Sequence, residues 1–420
     1  MSTNTNPTTA TVAANGLSVR TIALPGTRAL TILLAFDAGA RTERPEENGM
    51  AHFLEHLVFK GGEKYPNHQA INNTAERLGG VLNAYTSQSL VAFHITVRAE
   101  AGAEALDLLT DFVGRPRIDA AELERERGVV IQEINRAYDQ PAMIAEYLID
   151  TAAFGDHPLG RTVLGPEENL RSFTRDAIVA FRERRWSGTH GGAFMAGNVE
   201  YLPEPGALHE LLERFPALPE PDPFEPAPTF QPKTLVEQRD THQSHLRMIF
   251  CPAVEPTSRR QRAALTVYST LLGGSMSSRL FEEIREQRGL CYSVSAADHV
   301  FADMPILQLG SGLQSDKCIE AYTRMREIVR ELRTDGPTEE EFVRARTYAA
   351  GRTVLAFENS GAVARHAASQ EIVFGEQSSH EDAVAALDAV TFPEVREVAA
   401  SVEDHLAIAC VGPHETSEFS

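Results

Sequence analysis

His52-Phe53-Leu54-Glu55-His56 is the stretch around which the other motifs of this sequence are arranged. In a helix, His52 and His56 lie one turn apart on one face, which is the spacing that two imidazoles need to reach one small cation. Glu55 lies on the same flank, close enough to act on a water that such a cation holds. A match of five residues is also what a chance surface pattern produces. The motif therefore predicts half of a metal site, and a third ligand has to come from elsewhere.

The composition is that of a globular protein with more than one domain. A chain of 420 residues predicts two domains of about 200 residues each. The apolar fraction of 42% and the charged fraction of 23% are typical of soluble globular proteins. Thirty-nine basic and 59 acidic residues give a net charge of −20, which argues against nucleic acid and anionic membranes as partners.

The N-terminal residues and the cysteines predict a cytoplasmic protein. The first sixteen residues are polar and show no signal-peptide pattern, and no apolar run approaches the length that spans a bilayer. The four cysteines share no paired spacing, so we expect reduced, mostly buried thiols that are not metal ligands. They are Cys251, Cys291, Cys318 and Cys410.

A proline-rich segment divides the chain. Nine prolines fall within residues 201–232, including the run Pro219-Glu220-Pro221-Asp222-Pro223. This composition predicts a semi-rigid linker over 206–232 between an N-terminal domain, 1–205, and a C-terminal domain, 233–420. The second half repeats the predicted order of strands and helices, which indicates an internal duplication. Its counterpart of the first helix, 258–265, has no histidine, so only the first half is expected to hold the metal.

A carboxylate is expected as the third ligand, because two neutral imidazoles and one anion keep a zinc ion Lewis-acidic. The predicted helix 120–136 offers Glu133 within an apolar stretch, where a carboxylate is costly without a partner. Glu126 lies two turns earlier on the same face. An ion-pair role for Glu133 is the alternative at this point.

With these residues the chain resembles the M16 family of zinc peptidases, the group of pitrilysin, insulin-degrading enzyme and mitochondrial processing peptidase. The resemblance rests on the H-x-x-E-H motif, on Phe59-Lys60-Gly61 after it, and on Glu133 at the family's spacing. It departs from the family at Leu57, where methionine is usual, and at Gly62, where threonine or serine is usual. The implied fold is α+β, with two homologous domains that each pack a mainly antiparallel sheet against helices.

The resemblance assigns roles to the residues of the metal site. It implies that His52, His56 and Glu133 bind one Zn²⁺ per chain. Glu55 would polarise the metal-held water and then pass its proton to the leaving amine. Glu126 would orient a ligand histidine.

The resemblance also implies two substrate-binding segments. Asn83 and Ala84 would lie on an edge strand that pairs with an extended substrate; the alternative is an ordinary hairpin strand in which Asn83 satisfies a local backbone group. Arg285 and Tyr292 have the seven-residue offset of the family's Arg/Tyr segment and would bind the substrate backbone and the oxyanion. Without the resemblance, they would be interpreted as a helix-surface arginine and a core tyrosine.

The resemblance implies a zinc-dependent endopeptidase of the short-chain, two-domain branch. Its substrates would be peptides or unfolded segments that enter a chamber built from four such domains. Because one chain supplies two of the four and carries both motifs, a homodimer is expected. Two alternatives remain open, namely a peptidase dedicated to one precursor and a non-catalytic scaffold subunit of a heterodimer.

Overall fold

The computed structural model describes residues 8–217 and 224–419, and they divide into two compact units. The first unit runs to residue 134, resumes over 162–225 and includes 356–380; the second unit holds 135–161, 226–355 and the residues from 381 onward. The described strands are β1 (Thr9–Val12), β2 (Ser18–Ala23), β3 (Ala29–Phe36), β4 (Val81–Thr86), β5 (Val91–Arg98), β6 (Gly191–Gly197), β7 (Thr234–Gln238), β8 (Gln243–Phe250), β9 (Cys291–Val300), β10 (Pro305–Gln314) and β11 (Leu406–Gly412).

The described α-helices are α1 (Met50–Val58), α2 (His68–Arg77), α3 (Gly102–Gly114), α4 (Ala120–Tyr138), α5 (Pro141–Phe154), α6 (Glu167–Ser172), α7 (Arg175–Arg185), α8 (Pro205–Leu212), α9 (Arg259–Ser269), α10 (Cys318–Asp335), α11 (Glu339–Phe357), α12 (Ser360–Phe374), α13 (His380–Asp388) and α14 (Phe392–Ser401). Within this part of the chain, each helix is too short or too polar to cross a membrane.

The first unit is built on a six-stranded sheet in the order β1-β2-β6-β3-β5-β4. Neighbouring strands are antiparallel except β2 and β6, which are parallel. The sequence of β3, ALTILLAF, is apolar almost throughout and buried on both faces, as expected for a central strand covered by helices on each side. On one side Phe36 stacks on Trp186 at 5.4 Å, and on the other Leu33 packs with Ala364 of α12.

The second unit repeats this sheet with one strand fewer. Its order is β7-β11-β8-β10-β9, again with one parallel pair, β7 and β11, at the start. These five strands correspond in order and direction to β2-β6-β3-β5-β4. The helices that cover equivalent strands also correspond, because α5 packs on β8 and β11 while α12 packs on β3 and β6. The predicted α+β fold with two homologous domains is confirmed.

The compact units are not contiguous in sequence, unlike the predicted domains 1–205 and 233–420. Helix α5, from the first half, belongs to the second unit, and α12, from the second half, belongs to the first. The physical reason is an apolar helix surface that needs a sheet to cover it: Ile149 and Ala153 of α5 are buried in the core beside Ile249. The proline content of the sequence does not predict that α5 and α12 are exchanged between the two units.

The predicted linker 206–232 also begins too early. Its first residues form α8, which buries Leu208 and Leu212 in the core of the first unit. The run Pro219–Pro223 lies outside the described residues.

Candidate metal centre

Helix α1 has two chemically different faces. Its apolar residues Met50, Phe53, Leu54, Leu57 and Val58 are buried in the core of the first unit. The opposite face carries the two histidines and Glu55. This amphipathic pattern fixes the rotation of the helix, because turning it would expose the apolar face.

A carboxylate from outside the helix holds its first turn. Gly49 begins α1 with φ +99, and a β-carbon there would lie 2.6 Å from the Leu164 carbonyl oxygen, so the position requires glycine. Glycine has no side chain to cap the helix. The buried carboxylate of Glu43 instead accepts hydrogen bonds from the backbone N–H groups of Gly49 (2.9 Å) and Ala51 (2.7 Å) and from the Asn48 side chain (3.0 Å).

The ionisation of Glu43 reflects two opposing effects. Burial raises its pKa to about 8, and the hydrogen bonds from Ala51, Asn48 and Gly49 act in the opposite direction. No sequence pattern predicted a role for Glu43. The contacts of Glu43 with α1 depend on a loop conformation, which periodic sequence patterns do not predict.

His52, His56 and Glu133 converge on one point. Glu133 Oε2 lies 3.8 Å from His52 Nε2 and 3.6 Å from His56 Nε2, and the three ligand atoms lie within 4.8 Å of one another. Ligands about 2.0–2.1 Å from a tetrahedral zinc ion are separated by about 3.4 Å, so small adjustments would suffice. Burial, and then the neighbouring His56, lower the pKa of His52 to about 3, which keeps its imidazole in the neutral form that binds metals.

The residues therefore fit a zinc ion with an open position, since two neutral imidazoles and one carboxylate form a donor set of catalytic zinc sites. One expectation was wrong in detail. Glu133 is exposed despite the apolar letters around it, so it reaches the histidines from the solvent side of α4.

Glu126 supports the site through its contact with His56. Its buried carboxylate lies 3.3 Å from His56 Nδ1 and 2.7 Å from Lys60 Nζ. Burial opposes ionisation of Glu126, but the hydrogen bond with His56 and the contact with Lys60 outweigh it and lower the pKa. Lys60 was not predicted to have a role. Its position one turn after His56 on the same face is the signal that would have found it.

Glu55 is tied to the neighbouring strand. Thr86 at the end of β4 donates a hydrogen bond from Oγ1 to Glu55 Oε2 at 2.5 Å. Burial raises the pKa of Glu55, while the hydrogen bond from Thr86 and the charge of His56 lower it. A carboxyl group with a raised pKa is suited to taking up and releasing a proton near neutral pH.

The predicted substrate strand lies at the edge of the first sheet. β4 pairs with β5 on one side and has no strand partner on the other within the described residues. Asn83 accepts a hydrogen bond from the Ala84 N–H at 2.9 Å, which is the local contact that the sequence left open as an alternative. An extended peptide that paired with this edge would compete with that contact.

The second unit brings Arg285 and Tyr292 together. Arg285 lies in a π-helical segment, Phe281–Gln287, and Tyr292 lies on β9, the edge strand of the second sheet. The Arg285 guanidinium carbon is 4.6 Å from the centre of the Phe281 ring and 5.3 Å from that of Tyr292. Tyr292 is 83% exposed, so the alternative of a core tyrosine is excluded.

Comparisons with known proteins agree with this architecture. Residues 18–167 match the model of Insulinase (Peptidase family M16), and residues 172–348 match that of the Peptidase M16 inactive domain. An uncharacterized zinc protease of Streptomyces coelicolor is 32% identical over 413 residues, which cover 96% of this chain and 89% of that protein. The chain belongs to peptidase family M16. An uncharacterized zinc protease of Bacillus subtilis is 29% identical, over 95% of this chain and 97% of its own length.

Solved structures of M16 proteins share the fold. A structure from Pseudomonas fluorescens, described as a peptidase M16 inactive domain, superposes with a TM-score of 0.88 at 18% identity and covers 97% of this chain and 98% of its own. A Helicobacter pylori protease gives 0.84 at 19% identity, with coverages of 97% and 99%. In this M16 chain the family model described as inactive covers helix α9, which contains no histidine.

Replacing the capping carboxylate tests how α1 is held. Glu43→Ala leaves the N–H groups of Gly49 and Ala51 buried without their acceptor, so we expect the free energy of unfolding to fall by about 2–4 kcal/mol. Zinc affinity should fall as well, because the first turn of α1 loses its anchor. Urea unfolding and a zinc titration measure the two effects. Glu46→Ala, at an exposed position in the same loop, is the control, and equal stability of the two variants would contradict the assignment.

Proposed function

We propose that this protein is a zinc-dependent endopeptidase that hydrolyses peptides or unfolded segments. The observation that carries the proposal is the convergence of His52, His56 and Glu133 beside Glu55. Three metal donors alone are compatible with a structural ion. A carboxyl group on the same helix face, held by Thr86 and with a raised pKa, adds the proton acceptor that hydrolysis needs. The names of the relatives as zinc proteases support the same activity.

The bound zinc ion would supply Lewis acidity, which polarises the peptide carbonyl and makes water a stronger acid. Glu55 takes the proton of the attacking water and delivers it to the leaving amine nitrogen. Thr86 holds the Glu55 carboxylate in one orientation throughout. Glu126 orients the ring of His56 through its contact with Nδ1. Lys60 pairs with Glu126, so both charged groups stay close to the site.

The substrate is proposed to bind as an added strand along β4. Backbone hydrogen bonds at a sheet edge recognise any extended peptide, which favours broad specificity for unfolded chains. Asn83 and Ala84 would exchange their local hydrogen bond for contacts with the substrate. Arg285 and Tyr292 would complete the site by binding the substrate backbone and the developing oxyanion.

Replacement of Glu55 by glutamine tests the proposed chemistry. Glu55→Gln keeps the side-chain shape but cannot accept the proton, so we expect cleavage of a quenched-fluorescence peptide to fall at least about 100-fold. Its zinc content should equal that of the wild type, whereas Glu133→Gln should lose both zinc and activity.

Glu76→Gln, an exposed glutamate on α2, is the matched control and should retain both properties. Undiminished cleavage by Glu55→Gln would refute the mechanism. A wild-type protein that binds zinc but cleaves neither peptides nor unfolded proteins would favour the scaffold-subunit alternative. Cleavage confined to one precursor would favour the processing alternative.

The role of Tyr292 is tested by removing one oxygen atom. Tyr292→Phe loses the phenol donor while keeping the ring that packs against Arg285. We expect kcat to fall by about 10–1000-fold with zinc content unchanged, as for other donors to an oxyanion. Tyr348→Phe, at another exposed tyrosine, is the control. Loss of zinc from Tyr292→Phe would show that the residue supports the metal site.

A homodimer is proposed as the working form, because a chamber of four such units needs two copies of a chain that contains two. Light scattering should give twice the chain mass of 46.0 kDa at assay concentration. An active species with the mass of one chain would contradict the proposal. We also propose a cytoplasmic location, as the sequence predicts.

A further inference from the structure

A second group of side chains that offer potential metal-ligand atoms lies in the core of the second unit. Cys318 is the first residue of α10, Cys410 lies within β11, and His414 follows that strand. All three are buried, and their ligand atoms lie within 4.8 Å of one another. The two sulfurs are 4.0 Å apart although the residues are separated by 92 positions in the sequence. The spacing of the cysteines in the sequence predicted buried thiols that are not metal ligands, because residues so far apart in sequence share no motif.

The separations are close to those of a tetrahedral site. With Zn–S bonds of about 2.3 Å and Zn–N bonds of about 2.0–2.1 Å, the sulfurs lie about 3.8 Å apart and each is about 3.6 Å from the nitrogen. The observed 4.0 Å between the sulfurs of Cys318 and Cys410 requires little movement to reach this geometry. A disulfide requires a separation of about 2.05 Å, a much larger displacement of two buried side chains.

A chain of hydroxyl groups sets the tautomer of His414. Ser315 donates its hydrogen to the Thr241 carbonyl (2.9 Å), and Ser244 donates to Ser315 Oγ (3.0 Å). The Ser244 oxygen, 2.7 Å from His414 Nε2, is then left to accept the N–H of that nitrogen. A neutral imidazole in this tautomer carries its lone pair on Nδ1. Histidines that bind metals are oriented in this way, by donating the other ring N–H.

The free nitrogen of His414 faces another acceptor. Nδ1 lies 3.7 Å from Oε2 of Glu418, which also accepts the backbone N–H of Glu415 at 2.7 Å. The lone pairs of His414 Nδ1 and Glu418 Oε2 therefore face each other beside two thiols. A cation between these groups would stabilise the arrangement. Glu418 therefore adds a carboxylate to the three buried ligands.

We propose that Cys318, Cys410 and His414, with Glu418 as the fourth ligand, form a second and structural site for a thiophilic divalent cation, of which zinc is the natural example. The ion would join the start of α10 to the end of β11 and to the C-terminal turn Thr416–Phe419.

Binding has to displace protons. Because thiols lose their protons when they bind a metal ion, the affinity of the site is expected to increase with pH. The C-terminal turn is the proposed entry route. Glu418 is partly exposed there, and Phe419 covers the cluster by packing against His414 and Tyr322.

Cobalt spectroscopy separates this site from the candidate centre on α1. Only a site with cysteine ligands gives an intense sulfur-to-cobalt charge-transfer band in the near ultraviolet, and His52, His56 and Glu133 provide no sulfur. The full-length His52→Ala/His56→Ala variant should bind about one equivalent of Co²⁺ with that band. Adding Cys410→Ser should abolish both the band and the bound metal. Cys251→Ser and Cys291→Ser, at thiols outside the cluster, should change neither.

A wild-type measurement guards against misfolding of the cysteine variant. Titrating the unmutated chain with Co²⁺ should produce the same charge-transfer band, and a chelator should remove it and lower Tm. Absence of the band from both the wild type and the histidine double variant would overturn the proposal. Recovery of two free thiols instead of four from the denatured, unreduced protein would also overturn it, because the pair would then be a disulfide.

Discussion

The carboxylate of Glu43 holds the first turn of the helix on which the candidate metal centre is built. The helix has a glycine at its start, because the close Leu164 carbonyl leaves no room for a side chain, and its own N-cap residue therefore supplies no acceptor. Glu43 fills that role from a loop and fixes the end of α1. The apolar face of the helix fixes its rotation. With both set, the two histidines point toward α4, where Glu133 meets them.

The two halves of the chain share a topology but differ in chemistry. The strands β2-β6-β3-β5-β4 and β7-β11-β8-β10-β9 have the same order and the same single parallel pair. Both edge strands at the end of this order carry residues that are proposed to bind the substrate, Asn83 on β4 and Tyr292 on β9. Helix α9, in the second half of the chain, has no histidine. That half carries Arg285 and Tyr292 instead. A duplicated fold thus presents different side chains at equivalent places, as expected when function depends on sites and not on the fold.

Local spacing predicted the parts of the site that lie on single helices. His52 and His56 are one turn apart, and Glu126 and Glu133 are two turns apart, so helical periodicity alone places each pair on one face. The proximity of α1 and α4 was predicted only from the family resemblance. The roles of Thr86 and Glu43 were not predicted because they depend on tertiary contacts. Lys60 was not predicted either, although its position one turn after His56 is a local signal. Arg285 lies in a π-helical segment over Phe281–Gln287, a local widening that sequence patterns do not encode.

The exchange of α5 and α12 between the compact units bears on how the chain reaches its native state. When a ribosome has synthesised the first 205 residues, all six strands of the first sheet exist, but α12, which covers β3 and β6, has not been made. Apolar side chains such as Leu33 and Phe194 then remain in contact with water until residues 356–380 emerge. α5 has been made by then but has no sheet to pack on. Neither half contains every element of its own core, so the core of the first unit stays incomplete until α12 has been translated.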